Sequence, residues 1–370
     1  MESKRWGIRN MTETNAPRKN YNAIDLAKLI CSVMVVMIHV APFGHPPEEN
    51  SVLIDTFNDY IQNCLTRIAV PFFFVCSGFF LYRKTTEQFD FSPTKKYAIH
   101  LGKLYLIWSA VYLPFIIYSI IHSDKGIFYE LFKYARNFVF VGSYYHLWYL
   151  PATIFAVILI SFLLLRKISV RKILIFSGIL YFVGLLAQSW FILIKPLQQA
   201  FPTVWKLLKL VEDIISTTRN GLFDAFVFVA IGVAFAYHDG RLSKIKSLTG
   251  FIVSMILLVI EMYVLKSLHS IRENDMYLCL IPAVFFAFSW LIQVELPPHP
   301  IYQQLRKMST LIYFIHAGIK SVLFDYVKDT LIERSCLFFL IVLALTLLFS
   351  VIIIQFSQFP KLKWLKIFYN

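Results

Sequence analysis

The sequence predicts an all-α fold, a polytopic transmembrane helix bundle of about ten spans with both termini cytoplasmic. Three observations predict it. The chain is 58% hydrophobic and 16% charged, against about 45–50% and about 25% in soluble domains, and its mean hydropathy is +0.63. Many separate runs reach the roughly 20 apolar residues that a spanning helix needs. Lys and Arg gather in alternate loops, as they do in the cytoplasmic loops of membrane proteins. That asymmetry accounts for the net charge of +14 without a nucleic-acid partner, and the bilayer is the first partner the chain requires.

Residues 1–21 are a polar, basic tail (Lys4, Arg5, Arg9, Arg18, Lys19), expected to be disordered at its start and cytoplasmic. No cleavable signal peptide is expected, because no small-residue cleavage site follows the first apolar run. One transmembrane domain is expected over 22–357, and residues 358–370 form a basic cytoplasmic tail containing KLKWLKIF.

The first span is expected over 22–43. The loop after it carries Glu48, Glu49, Asp55 and Asp59 and no Lys or Arg. A second span, 63–82, holds Pro71, which should kink it, and ends at Arg83-Lys84. Ser92-Pro93 has the form of an N-cap and first helical residue ahead of a third span, 97–121. A mixed segment, 122–143, leads to a fourth span, 145–165. The basic turn RKISVRK separates this from a fifth, 173–194. Residues 195–218 are polar enough for a short surface helix. Spans six, seven and eight are expected at 219–238, 248–266 and 276–294. The connector ELPPHP and IYQQLRKM precede a ninth, 309–327, with Ser309 as its N-cap. The tenth is 336–357.

The first span, NAIDLAKLICSVMVVMIHVAP, carries Asp25, Lys28 and His39. Ionisable groups inside spans are costly and mark cavities or function. Lys28 and His39 are about three turns apart, roughly 20° out of phase and roughly 16 Å along the axis. Asp25 and Ser32 fall on the same stripe, which forms one wall of a transverse cavity. Arg67 opens the second span, where Ser77-Gly78 suits a helix-packing contact. The fourth opens with YYHLWYLP; an aromatic belt accounts for Trp148 and Tyr149 but less readily for His146. In TTRNGLFDAF, Arg219 is the candidate partner of Asp224. In STLIYFIHAGIKSVL, Tyr313 and His316 share a face, with Lys320 a turn further on. Glu261 has no evident partner. Cys31, Cys64, Cys76, Cys279 and Cys336 show no CxxC and no metal spacing, and are expected to be small buried apolar side chains. HExxH, P-loop, GxSxG and GxGxxG-helix motifs are absent. No metal site is expected.

Four stretches, IDLAKLICSVMVVMIH, RIAVPFFFVCSGFFL, HLWYL and MSTLIYFIH, with RNGLFDAFVFVAIG as a weaker fifth, resemble the acyltransferase-3 group of integral membrane acyltransferases. That group includes many bacterial O-acetyltransferases of cell-surface glycans. The first stretch carries the family's basic residue, ten residues, then His, as Lys28 and His39. The usual residue at the first position is Arg. Lys28 keeps the cation without the bidentate fork. The resemblance implies about ten spans, an acyl-CoA donor (acetyl-CoA first) entering from the cytoplasm, and an acceptor reached from the other side. It extends to the membrane portion of serine racemases of vancomycin-resistance systems, regarded as an amino-acid carrier. Neither a hydrolase-like nor a racemase domain is expected in this chain.

The function expected first is therefore O-acyl transfer from acyl-CoA to a hydroxyl of a cell-surface or lipid-linked glycan, at the plasma membrane. His39 is the expected base, since imidazole titrates near neutral pH. Lys28 is placed to pair with CoA phosphates, and Asp25 to orient or neutralise it. Arg67, His146, Trp148, Arg219, Tyr313 and His316 are expected to line the cavity. The alternative is a membrane carrier for a small polar solute such as serine. Association into a homo-oligomer is compatible with either.

Overall fold

A chain in lipid must satisfy its backbone polar groups internally, so apolar runs become helices. The computed structural model describes residues 20–43, 52–83, 90–237, 242–328, 330 and 335–370. Lys84, Glu48, Glu49, the basic N-tail and Arg241 lie outside them, as does the Asp55 side chain. Among the described residues there is helix and no strand: α1 (Asn22–Val40), α2 (Val52–Asn63), α3 (Ala69–Tyr82), α4 (Ser92–Ile121), α5 (Ile127–Phe140), α6 (Tyr149–Leu165), α7 (Val170–Leu186), α8 (Leu197–Ala200), α9 (Pro202–Ile215), α10 (Phe226–Tyr237), α11 (Lys244–Ser267), α12 (Leu280–Leu291), α13 (Ile301–Val327) and α14 (Cys336–Phe356). Among the described residues, six stretches are long and apolar enough to cross a membrane. A seventh is the pair Val170–Leu186 and Phe191–Ala200, bent by 80°. Shorter apolar helices cover Tyr149–Leu165, Gly221–Tyr237 and Leu280–Leu291. The chain is a multi-pass membrane protein.

Local chemistry sets several boundaries. Ser169, Ser243 and Ser335 accept the backbone N–H groups of Lys172, Lys246 and Phe338 and so cap α7, α11 and α14. This starts α7 and α11 ahead of their apolar runs. Asp90, not Ser92, supplies the acceptor at the start of α4, taking the Ser92 N–H at 2.9 Å. Pro71 sits in the first turn of α3, where a missing N–H costs no hydrogen bond. The break expected there falls instead at the 3₁₀ turn Leu65–Ile68. Ser309 is not an N-cap. The helix begins eight residues earlier, after the prolines of ELPPHP, and Ser309 donates from inside α13 to the Lys28 carbonyl at 2.9 Å. The segments 122–143 and 195–218 contain α5 and the α8–α9 pair, both outside the core.

Glu261 has three partners. It accepts from Trp190 Nε1 at 2.7 Å and from the backbone N–H groups of Leu278 and Cys279 at 2.7 and 2.8 Å. It therefore satisfies the two backbone N–H groups just ahead of α12.

One end of the bundle is tied by Asn20 and Asn22 to the Leu296 carbonyl, by Thr94 to Ser161 and by Ser247 to Ser289. The tail Pro360–Phe368 folds back here as a 3₁₀ helix, its Phe368 carbonyl taking Trp108 Nε1–H at 3.1 Å. The opposite end is tied by Gln62 to the Met37 carbonyl, Tyr144 to Ser321 and Ser189 to the Met276 carbonyl. In the middle, α3 and α10 touch backbone to backbone. A Cβ on Gly78 would lie 2.2 Å from the Val229 oxygen, and one on Gly232 2.1 Å from that of Val75. Only glycine permits this approach.

Candidate active site

Two adjoining sites along α1 and α13 hold ionisable side chains. The first is a cavity of 1180 Å³ at the end where α1 and α13 begin. Lys28, Arg83, Arg306 and Lys307 line it with His100 and His299, and Asp25 is its acidic member. Asp25 is buried and pairs with Arg306, not Lys28. Arg306 Nε and Nη2 reach Oδ1 and Oδ2 at 2.9 and 2.6 Å. Lys28 lies with its ammonium 4.6 Å from the Phe80 ring centroid, a cation–π contact that leaves it turned toward the cavity. The expected orienting role of Asp25 thus applies to Arg306. Lys28 brings no guanidinium fork, and α13 supplies one a helix away. The spacing Arg306, Ser309, Tyr313, His316, Lys320 keeps one helical face, and carrying that stripe back across the connector is the signal that finds Arg306.

The second, one turn along α13 from Tyr313, is a packed cluster of three histidines, so Ser32 and His39 do not share the cavity wall with Lys28 as expected. His39 from α1 and His316 from α13 face each other with ring centroids 5.3 Å apart and planes 15° apart. His146, in the turn before α6, sets its ring edge-on to His316 at 5.2 Å. His316 Nδ1 lies 2.9 Å from the Ile312 carbonyl. A carbonyl only accepts, so Nδ1 bears the proton in the neutral ring and Nε2 bears the lone pair. That Nε2 is buried without a hydrogen-bond partner, and neither ring nitrogen of His146 makes a well-formed hydrogen bond, although the Phe314 carbonyl is close enough to act on the ring. Tyr313 OH donates to the His146 carbonyl. The three histidines thus converge, as the sequence suggested only by their number.

A third group borders the histidines. Arg67 and Arg219 both bind Asp275, Arg67 through Oδ1 and Arg219 through Oδ2 at 3.0 Å. Arg67 also donates to Asn63 at 2.8 Å. Arg219 lies 4.9 Å from the Trp148 ring centroid, and its charge acts on His39 and Tyr313. The expected Arg219–Asp224 pair is therefore replaced. Asn220 caps a π-turn, Gly221–Ala225, by accepting from Leu222 and Phe223, and within this turn Asp224 makes no ion pair with Arg219. Among the described residues the Asp224 carboxyl makes no ion pair. Asp275 lies in the loop between α11 and α12. Burial pushes its carboxyl up, but Arg219 and Arg67 outweigh burial and hold it below the usual carboxylate range. No local pattern in IRENDM marks Asp275, because its partners come from two other segments.

Among the described residues no group of three His, Cys, Asp or Glu side chains is arranged to hold a metal. The described cysteines are unpaired. Cys31, Cys64 and Cys76 are buried as expected, Cys279 is half-buried and Cys336 is exposed.

Compared with known proteins, residues 21–355 match the acyltransferase-3 family, described as an acyltransferase domain. The chain is 28% identical over 344 residues to an amino-acid racemase of Enterococcus faecalis, covering 91% of this chain and 46% of that one. It is 29% identical over 330 residues to a serine/alanine racemase of Enterococcus gallinarum, covering 88% and 44%. The chain spans less than half the length of these curated relatives. No solved structure matches. With the match running from the start of α1 almost to the end of α14, the chain belongs to the acyltransferase-3 family of membrane proteins.

Proposed function

We propose that the protein is an O-acyltransferase of the plasma membrane that moves an acyl group, acetyl first, from cytoplasmic acyl-CoA to a hydroxyl of a cell-surface or lipid-linked glycan. The observation that carries this is the placement, along α1 and α13, of a basic cavity suited to the phosphates of CoA next to the facing pair His39 and His316. Six long spans, the bent pair and three shorter apolar helices support the count of about ten crossings. The cavity end, where residues 20–22 and 360–370 meet, is then cytoplasmic.

In this reaction His39 accepts the proton of the acceptor hydroxyl. The hydroxyl oxygen attacks the thioester carbonyl, the C–S bond breaks and the CoA thiolate leaves with the proton from His39. Lys28 and the Arg306–Asp25 pair hold the donor's phosphates. His316, fixed by the Ile312 carbonyl, packs against His39 and holds its ring in place. Arg67, Arg219, Trp148 and His146 frame the acceptor's approach.

A carrier for a small polar solute such as serine is the second reading. The observation in its favour is the ion cluster Arg67–Asp275–Arg219 at the far end. The deciding test is purified protein in nanodiscs with radiolabelled acetyl-CoA, following CoA binding and CoA release together. Wild type is expected to bind and release; His39→Ala is expected to bind without release. Failure of both proteins to bind or consume any acyl-CoA would overturn the enzyme reading and make solute uptake into proteoliposomes the next assay.

A further inference from the structure

Two helices outside the core carry their apolar faces outward. α5 and α9 have 14 residues each, about 21 Å of helix against the roughly 30 Å of a bilayer's hydrocarbon core, so neither crosses it. At roughly 100° per residue, Phe128, Leu131, Phe132 and Val139 fall within an arc of about 100° on α5. All four are exposed, Phe128 by 86%. Glu130, Lys133 and Asn137 lie on the opposite side and are half-buried. Glu130 accepts from Lys133 Nζ at 3.2 Å and from Ser123 Oγ at 3.1 Å. α9 repeats the pattern. Val204, Leu207, Val211 and Ile214 are exposed along one side, Leu207 by 61%. On the other side Glu212 accepts from Lys209 Nζ at 2.9 Å and, from the loop after α11, from Arg272 Nη2 at 2.6 Å.

In water such helices would be inside out, with the apolar stripe toward solvent and the polar one toward protein. The neighbouring segments identify the medium that covers them. Ahead of α9 the chain bends by 80° between Val170–Leu186 and Phe191–Ala200, out of the line of the span and toward the membrane plane. Ahead of α5, Tyr118 and Ile121 are exposed at the far end of the 30-residue span α4, so the α5 stripe continues a lipid-facing surface. Lys125 and Lys206 are exposed and long enough to reach headgroup phosphates. The two helices are also joined. Arg136 of α5 donates from Nη1 to the Asp213 carbonyl at 2.7 Å and from Nη2 to Ser216 Oγ at 3.3 Å, at the end of α9.

We propose that α5 and α9 form one collar seated in the lipid interface at the end opposite the cavity. Their apolar faces lie among the upper acyl chains and their polar faces against the protein's own loops. The partner of these faces is the membrane surface, not a second copy of the chain. α5 runs on into the turn that carries His146, and α9 into the segment that carries Arg219, so the seat ties both segments to the depth of the headgroups. The seating is independent of the reaction the protein performs.

The test uses full-length protein at one copy per nanodisc, in a Cys279→Ser, Cys336→Ser background, with a bimane label at Phe128→Cys, Phe132→Cys, Leu207→Cys or Val211→Cys. Quenching is compared between phosphatidylcholine carrying a nitroxide near the headgroup end of its acyl chain and one carrying it near the chain terminus. At all four positions the shallow lipid should quench more than the deep one by about twofold or more. Ile256→Cys, midway along the exposed side of α11, should show the reverse order. Lys133→Cys and Lys209→Cys, on the polar faces, should be quenched less than their apolar neighbours by either lipid. Quenching by neither lipid at either helix overturns the proposal and leaves a second copy or a soluble partner to cover these faces. Stronger quenching by the deep lipid, or equal quenching on both faces of a helix, overturns it as well.

Discussion

Arg306 grips Asp25 through both carboxylate oxygens, from a helix that begins 276 residues later in the chain than Asp25 lies. The pair joins the first turns of α1 and α13 beside Lys28, and gives the cavity mouth the fork that Lys28 does not provide. Removing Arg306 leaves a buried carboxylate without its counter-ion. Because the guanidinium is 60% exposed, water screens the loss. Arg306→Met should therefore destabilise by about 1–2 kcal/mol, below the range of fully buried pairs. The double variant with Asp25→Asn should recover most of it. Thermal unfolding in detergent measures both, and no recovery in the double variant would sink the pairing argument.

His316 is expected to matter through His39. His316→Asn keeps a side-chain N–H for the Ile312 carbonyl but removes the imidazole. Turnover should fall by about 10²-fold or more and the pH profile should change shape, while CoA binding stays near wild type. Parallel loss of binding and turnover would show that the ring only fills space.

Asp275 should impose an acid limit. Its carboxyl is held by Arg219 and Arg67 below the ordinary value of 3.8. The folded state therefore binds fewer protons than the unfolded state in that range, and the stabilisation is present above about pH 4 and lost as pH falls through the folded pKa. Asp224, on which the charges of Asp275 and Arg219 act, lies near the same cluster. Unfolding temperatures from about pH 7 to about pH 3 should fall more steeply for wild type than for Asp275→Asn; parallel curves would exclude the carboxyl.

The α3–α10 crossing should tolerate no methyl group. Gly232→Ala and Gly78→Ala each place a Cβ against a backbone oxygen and should cost about 1–3 kcal/mol. Gly102→Ala, with nothing within 4 Å, should be neutral or gain up to about 1 kcal/mol. Equal effects at the three positions in a thermal scan would contradict the packing.

Cysteine labelling checks the sidedness. In a background lacking the exposed Cys336, Arg171→Cys should react with an impermeant maleimide only after cells are opened, and Asp124→Cys should react in intact cells. The reverse pattern would invert the proposed topology.

Much of this was legible in the sequence. The apolar runs and their order were plain because lipid leaves a chain little but helix. The Lys28–His39 stripe was plain because helix periodicity alone places it. What stayed hidden depended on partners far along the chain. Arg306 sat in a stretch polar enough to pass for a connector, so α13 was begun at Ser309. The carboxylate nearest Arg219 in the sequence is Asp224, whereas its ion-pair partner, Asp275, arrives from another loop. Glu261 looked unpaired because two of its three partners are backbone N–H groups, which carry no side-chain signature.

Ser77 and Gly78 are neighbours on α3, about 100° apart around its axis. Gly78 fixes how near α10 can come, and Ser77 holds Tyr149 at the head of the cavity. An interhelical spacing set by the absence of one methyl group thereby reaches a cavity wall on another side of the same helix. Substitutions at Val229 or Gly232, which do not line that cavity, should then be felt at its wall, and selection on the cavity's shape acts as selection on packing.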